Sequence, residues 1–297
     1  YHNLTGDVSD DSAASTRMLE KSLQCYGSGF LHPHRDTAAA VAAGPNIAQE
    51  RSRTGPGRIL RNQTINGNTS PRFYDEAAAP GKAFYYNEFR KGETYTYSED
   101  CLFLNIWAPA DATPGDRLPV IFYIHGGGFT GGCGHEKHFD GPVWPTKGCV
   151  AVTINYRLGP MGFVCLPELA DEAGSTGNYA LLDQLAALQW VRANIAAFGG
   201  DANNITIMGQ SAGAMSVQQL VLSPITRGLF SKAVMSSGGG VSQMLTAKPA
   251  AAHYPFWKQV MEAAGCSTLA EFRALAPARL FAPPTDPTNT IIFNKSY

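Results

Sequence analysis

The sequence predicts an α/β fold, with a mostly parallel central sheet flanked by helices and expected to be incomplete within these 297 residues. Three observations carry that expectation. Between about residues 149 and 239, β-branched runs alternate with segments of helical period, the order from which parallel sheets are wound. One of those runs, CVAVTINYRLG (149–159), is apolar at nearly every position, as a strand covered on both faces must be. The composition, 44% hydrophobic and 16% charged, is that of an ordinary globular protein long enough to bury a substantial core.

Residues 1–70 are rich in Ala, Gly, Ser, Thr and Arg and read as an irregular amino-terminal segment, so the folded domain is expected over 71–297. DCLFLNIWAP (100–109) and LPVIFYIHG (118–126) are β-branched and aromatic runs closed by Pro or Gly, and both predict strands. The run 149–159 is the third strand. After it, Leu181, Leu185, Leu188, Val191, Ile195 and Phe198 recur at steps of three and four residues, predicting an amphipathic helix stopped by Gly199 and Gly200. NITIMG then reads as strand, AGAMSVQQLVLS as helix and FSKAVMSSGG (230–239) as strand. Beyond Gly240, PFWKQVMEAAGC and TLAEFRALAPARLF predict two short helices joined at Gly265, expected to cap the sheet.

A net charge of −1 gives no electrostatic reason to expect nucleic acid or an anionic membrane as partner. No run of eighteen apolar residues is present, so no membrane span is expected. The six cysteines show neither CxxC pairing nor metal-ligand spacing, which points to reduced, mostly buried thiols and to no metal or cofactor. The chain opens on YHNLTGDVSDDSAAS, without an initiator methionine or a charged-then-apolar leader. Either a segment preceding Tyr1 was removed or the sequence is a piece of a longer protein; whether it is cytoplasmic or secreted is left open.

Two motifs carry chemistry. In NITIMGQSAGAMS (204–216), Ser211 stands between Gly209 and Gly213 where a strand gives way to a helix. A G-x-S-x-G match is weak by itself, since about 0.2 are expected by chance here. At a strand–helix junction it has a physical use: the sharp turn exposes the hydroxyl, and the glycines let strand and helix backbones pass closely. The second motif, YIHGGGF (123–129), follows an apolar strand. Its three glycines leave backbone N–H groups able to point at a ligand. Negative charge develops on the former carbonyl oxygen during acyl transfer, and preorganised amides aimed at that oxygen are usually the largest catalytic contribution. His125 is expected to brace this loop, and Phe129 and Met161 are as compatible with core as with a pocket wall.

The blocks SEDCLFLNIW (98–107), HGGGF (125–129), NYRLGPMGF (155–163), GNYALLDQLAALQWVRANIAAFGGD (177–201) and ITIMGQSAGAMS are similar, in order and approximate spacing, to those of the type-B carboxylesterase and cholinesterase family of α/β-hydrolases. The resemblance covers about residues 71–275. It implies a serine ester hydrolase acting on a small-molecule ester without a cofactor. Ser211 is then the nucleophile that forms an acyl-enzyme, and the amides of Gly127, Gly128 and Ala212 are the oxyanion donors. It also implies a structural ion pair between Glu99 and Arg157. Three departures stand out. Gln210 precedes the serine where relatives usually carry a glutamate; the family's opening strands are not evident in 1–70; and only the distant Cys25 is available upstream to pair with Cys101. Two other readings of the same scaffold are a non-catalytic adhesion module and an acyltransferase using the same nucleophile.

A serine needs a general base, and in this fold the partners follow in the order serine, acid, histidine. After Ser211 the acidic residues are Glu262, Glu271 and Asp286, and the only histidine, His253, precedes them all. The expectation is therefore that the triad acid and histidine belong to polypeptide beyond these residues.

Overall fold

A computed structural model of the chain describes residues 60–61, 69–70, 87–88, 91–93, 95–136, 143–240, 249–276 and 279–280. Six strands lie in it: β1 (Leu60–Arg61), β2 (Leu104–Ala108), β3 (Leu118–Ile124), β4 (Val150–Ile154), β5 (Gly200–Gln210) and β6 (Lys232–Ser236). They form one sheet in the order β1-β2-β4-β3-β5-β6. The pairings β3–β4, β3–β5 and β5–β6 are parallel, while β2 runs antiparallel to both of its neighbours. The sheet is mixed, with its parallel part where the strand–helix alternation predicted it.

All five residues of β4 are buried, as expected of its continuous apolar run. Helix α3 (Tyr179–Asn194) and helix α4 (Ala212–Leu222), which follow two shorter helices in the chain, pack against the sheet. Val120, Phe122 and Ile124 of β3, Val152 and Ile154 of β4, and Ile205 and Ile207 of β5 share one core with Leu188 and Val191 of α3 and Val217 and Leu220 of α4. Side chains of this kind contribute roughly 1.5–3 kcal/mol each when fully buried, so this cluster dominates the fold's stability. Of the six apolar positions read along the helix, five are buried and Phe198 is half-buried. A 3₁₀ turn over Ile195–Phe198 continues α3, and Gly199 ends it at φ 80.

Several boundaries differ from the sequence reading. The strand expected over 149–159 stops at Ile154: Asn155 N–H still donates to the Phe103 carbonyl across from β2, but Arg157 N–H turns away to the Asp183 carboxylate. Two short helices then follow that periodicity did not mark, α1 (Gly159–Phe163) and α2 (Pro167–Ala173), each opened by proline in its first turn. β6 ends at Ser236, where Ser237 turns at φ 53.

The last two helices are α5 (Tyr254–Ala263) and α6 (Leu269–Arg273). Their Trp257, Val260, Met261 and Phe272 join Met161, Val164, Leu166 and Leu169 in a second cluster, so they rest on the α1–α2 region rather than directly on the sheet. Thr268 and Glu271 cap α6 reciprocally. Within the segment read as irregular, Leu60–Arg61 pairs with Ala108 and Trp107, and Thr69 and Ser70 are buried. The rest of that segment, with Cys25 and the tail 281–297, lies outside the described residues.

Candidate active site

Ser211 is the single residue between β5 and α4, at φ 54 and ψ −121. A residue with a side chain adopts that region only under constraint from its surroundings. The constraints are visible. Ser211 N–H donates to the Ser236 carbonyl at 2.9 Å, and the Ser211 carbonyl accepts from Met215 N–H at 3.0 Å. Three glycines supply the room. A Cβ on Gly209 would stand 2.4 Å from the Gly213 carbonyl carbon, one on Gly213 2.1 Å from the Ile124 oxygen, and one on Gly238 2.3 Å from the Ser211 oxygen. The two glycines of the motif thus have the close-approach role read from the sequence, and Gly238, from the end of β6, is a third that the sequence did not mark.

The glycine loop leaves the end of β3 and runs against this turn. A Cβ on Gly126 would lie 3.2 Å from Ser211 Cβ and 2.7 Å from the Gln210 carbonyl oxygen. Gly127 (φ 109) and Gly128 (φ 62) follow in left-handed conformations and are exposed, and neither amide donates to a described residue. Gly127 instead uses its carbonyl, which accepts from Thr130 and Gly131 N–H. Ala212 opens α4, so its amide is among those a helix cannot satisfy internally. The three amides expected to act together therefore border one junction.

His125 braces the loop through one ring nitrogen and its ring face. Its Nδ1–H donates to the Gly126 carbonyl at 2.7 Å, since a carbonyl only accepts, and its ring stacks on Tyr156 with centroids 4.3 Å apart. The Tyr156 hydroxyl donates to the His125 carbonyl at 2.8 Å, and burial pushes that phenol well above its ordinary range. Phe129, at φ 59, is buried edge-on to Phe163 at 5.2 Å, and Met161 is buried in the second cluster. Both are core.

Behind the loop Arg157 and Asp183 form a buried pair, each less than a tenth exposed. Asp183 Oδ1 accepts from Arg157 Nη2 at 2.7 Å, and Oδ2 from Nε at 2.8 Å and from the Arg157 backbone N–H at 3.0 Å. The guanidinium also lies over the Tyr179 ring at 5.4 Å. Asp183 is a partner that sequence reading missed; a buried acid on an otherwise apolar helix face was the available signal. Glu99 is half-buried near the start of β2. Of the acids after Ser211, Glu262 is exposed, Glu271 is committed to its capping box, and Asp286 lies outside the described residues. Among the described residues no group of His, Cys, Asp and Glu could hold a metal ion, and no helix is long and apolar enough to cross a membrane.

Comparison with known proteins finds esterases. The chain is 48% identical over 144 residues to the fumonisin B1 esterase of Sphingopyxis macrogoltabida, a match covering 48% of this chain and 26% of that protein. It is likewise 48% identical over 165 residues to the para-nitrobenzyl esterase of Bacillus subtilis, covering 55% of this chain and 32% of the relative. Among solved structures, a carboxylesterase of Geobacillus stearothermophilus superposes with a TM-score of 0.57 at 38% identity, over 64% of this chain and 40% of that one. An esterase from Clostridium hathewayi superposes with a TM-score of 0.62 at 30% identity, over 72% of this chain and 42% of that one. The chain thus spans roughly a quarter to a third of the length of these curated relatives. Residues 64–278 match the model of the Carboxylesterase family, so the chain belongs to that family, on an α/β-hydrolase sheet.

Proposed function

We propose that this chain carries the nucleophile and the oxyanion-binding amides of a serine carboxylic-ester hydrolase acting on small-molecule esters. Ser211 Oγ attacks the ester carbonyl and its proton passes to a general base. The amides of Gly127, Gly128 and Ala212 stabilise the oxyanion, the alcohol leaves with a proton, and water then releases the acid from the acyl-enzyme. The observation that most supports this is the strained Ser211 at the tip of the β5–α4 turn, with Gly126 pressed against its Cβ. The base and its acid partner come from polypeptide outside these 297 residues, because no acid followed by histidine succeeds Ser211.

Labelling of the full-length protein with a fluorophosphonate tests the reading. Ser211 is expected to react, and Ser211→Ala to abolish both labelling and para-nitrophenyl acetate hydrolysis. An unreactive wild-type Ser211 would overturn it. The 297 residues alone are expected to hydrolyse that ester several orders of magnitude more slowly, since without its base the serine leaves only oxyanion stabilisation and binding.

A further inference from the structure

We propose that Gln210 determines substrate specificity at this site and admits esters that carry a carboxylate near the scissile bond. The proposal rests on the ester-hydrolase reading of Ser211. Gln210 is the last residue of β5 and immediately precedes Ser211. Its Oε1 lies 2.9 Å from where a Cβ on Gly126 would stand, the same point that lies 3.2 Å from Ser211 Cβ. The side-chain amide is therefore laid over the root of the glycine loop, beside the reacting hydroxyl. It is half-exposed. An amide has two N–H donors and one acceptor with which to meet a group brought to Ser211.

The local field points the same way. Helix α4 begins one residue after Ser211, and its eleven residues place the partial positive charge of a helix amino terminus at the junction. The loop amides add donors of the same sign. A carboxylate in the position of the Gln210 amide would offset that field and repel a second negative charge on the ester. The neutral amide leaves the field intact, and its Nε2–H donors can bind an anionic group directly.

The test compares two esters with the same leaving group in the full-length protein: para-nitrophenyl butyrate, which is neutral, and mono-para-nitrophenyl glutarate, whose acyl chain ends in a carboxylate. The measured quantity is the ratio of kcat/KM for the anionic ester to that for the neutral one. Gln210→Glu, nearly isosteric, is expected to lower this ratio about tenfold, as a new charge within several ångströms at a partly solvated site would. Gln210→Met keeps the bulk and removes the hydrogen bonds, and is expected to lower the ratio about threefold. A ratio unchanged in both variants, with hydrolysis retained, overturns the role of Gln210 and leaves the hydrolase reading standing. Absence of both hydrolysis and fluorophosphonate labelling in the wild type overturns the hydrolase reading and this proposal with it.

Discussion

Gly213 is where helix α4 and strand β3 touch, and Gly213→Ala probes whether that closeness builds the site. The added methyl would stand 2.1 Å from the Ile124 carbonyl oxygen and 2.9 Å from the His125 oxygen. An ordinary non-bonded contact is about 3.5 Å. Both clashing atoms are backbone, so no side-chain rotation relieves them. The helix must withdraw from the strand by about 1 Å or more. Ala212 N–H travels with the helix, whereas Gly127 and Gly128 stay with the loop after β3, so the substitution separates the proposed oxyanion donors from one another. A misplacement of about 1 Å in such a constellation lowers rates about 10²-fold, or roughly 2.7 kcal/mol of barrier. Overpacking adds about 1–3 kcal/mol of destabilisation. The assay is the rate constant for fluorophosphonate labelling of Ser211 in the full-length protein, taken well below the thermal transition, with urea unfolding in parallel. Labelling about 100-fold slower and a lower unfolding midpoint are expected. Labelling within threefold of wild type, at an unchanged midpoint, would refute the claim that strand–helix contact at Gly213 sets the site.

Asp183→Ala would strand the Arg157 guanidinium, which is only 7% exposed, without the carboxylate that accepts two hydrogen bonds from it and a third from the Arg157 backbone N–H. Breaking a buried pair from one side costs about 3–5 kcal/mol, and a loss below about 1 kcal/mol in urea unfolding would show that the pair is dispensable. Burial pushes the Cys101 thiol from 9.0 up to about 12, with the Asp183 charge adding to the rise and Arg157 opposing it; burial likewise pushes Cys165 up to about 11. A thiol with a raised folded pKa stays protonated in the native state while the unfolded chain ionises. Its contribution to stability is therefore complete below pH 9 and is lost as pH rises from about 9 through 11 and 12. Urea midpoints should fall over that alkaline window, and replacing Cys101 by Ala should flatten the decline. The five described cysteines are buried, so a disulfide-exchange reagent at pH 8 should react with them only as the protein unfolds; fast stoichiometric reaction of the native protein would contradict that burial.

What was legible in the sequence was local, and what was missed was long-range. Helix α3 announced itself because its core-facing residues recur at helical spacing, and Gly199, at φ 80, ended it where the pattern stopped. Helices α1 and α2 run five and seven residues, too short for a period to register. β1 is two residues inside a stretch of Gly, Asn and Thr, and it exists because β2 offers it an edge. The Arg157–Asp183 pair spans 26 residues between a loop and a helix, and nothing in either segment names the other.

The two chemical motifs escaped that limitation for a reason found in the sheet. Each was readable alone as a glycine-bearing turn after a strand, but their adjacency was not. β3 and β5 are hydrogen-bonded parallel neighbours, with Ile124 in register with Gly209. Parallel strands that end in register must discharge their following residues side by side at the same carboxyl edge. Gly126 follows Ile124 by two residues and Ser211 follows Gly209 by two, so the loop and Ser211 meet at equal distance past the last rung. A shift of one residue in that register would turn the alternating faces of β5 over and carry Ser211 away from the loop. The buried Ile205 and Ile207, which hold β5 against α3 and α4, therefore fix the geometry of the site from within the core.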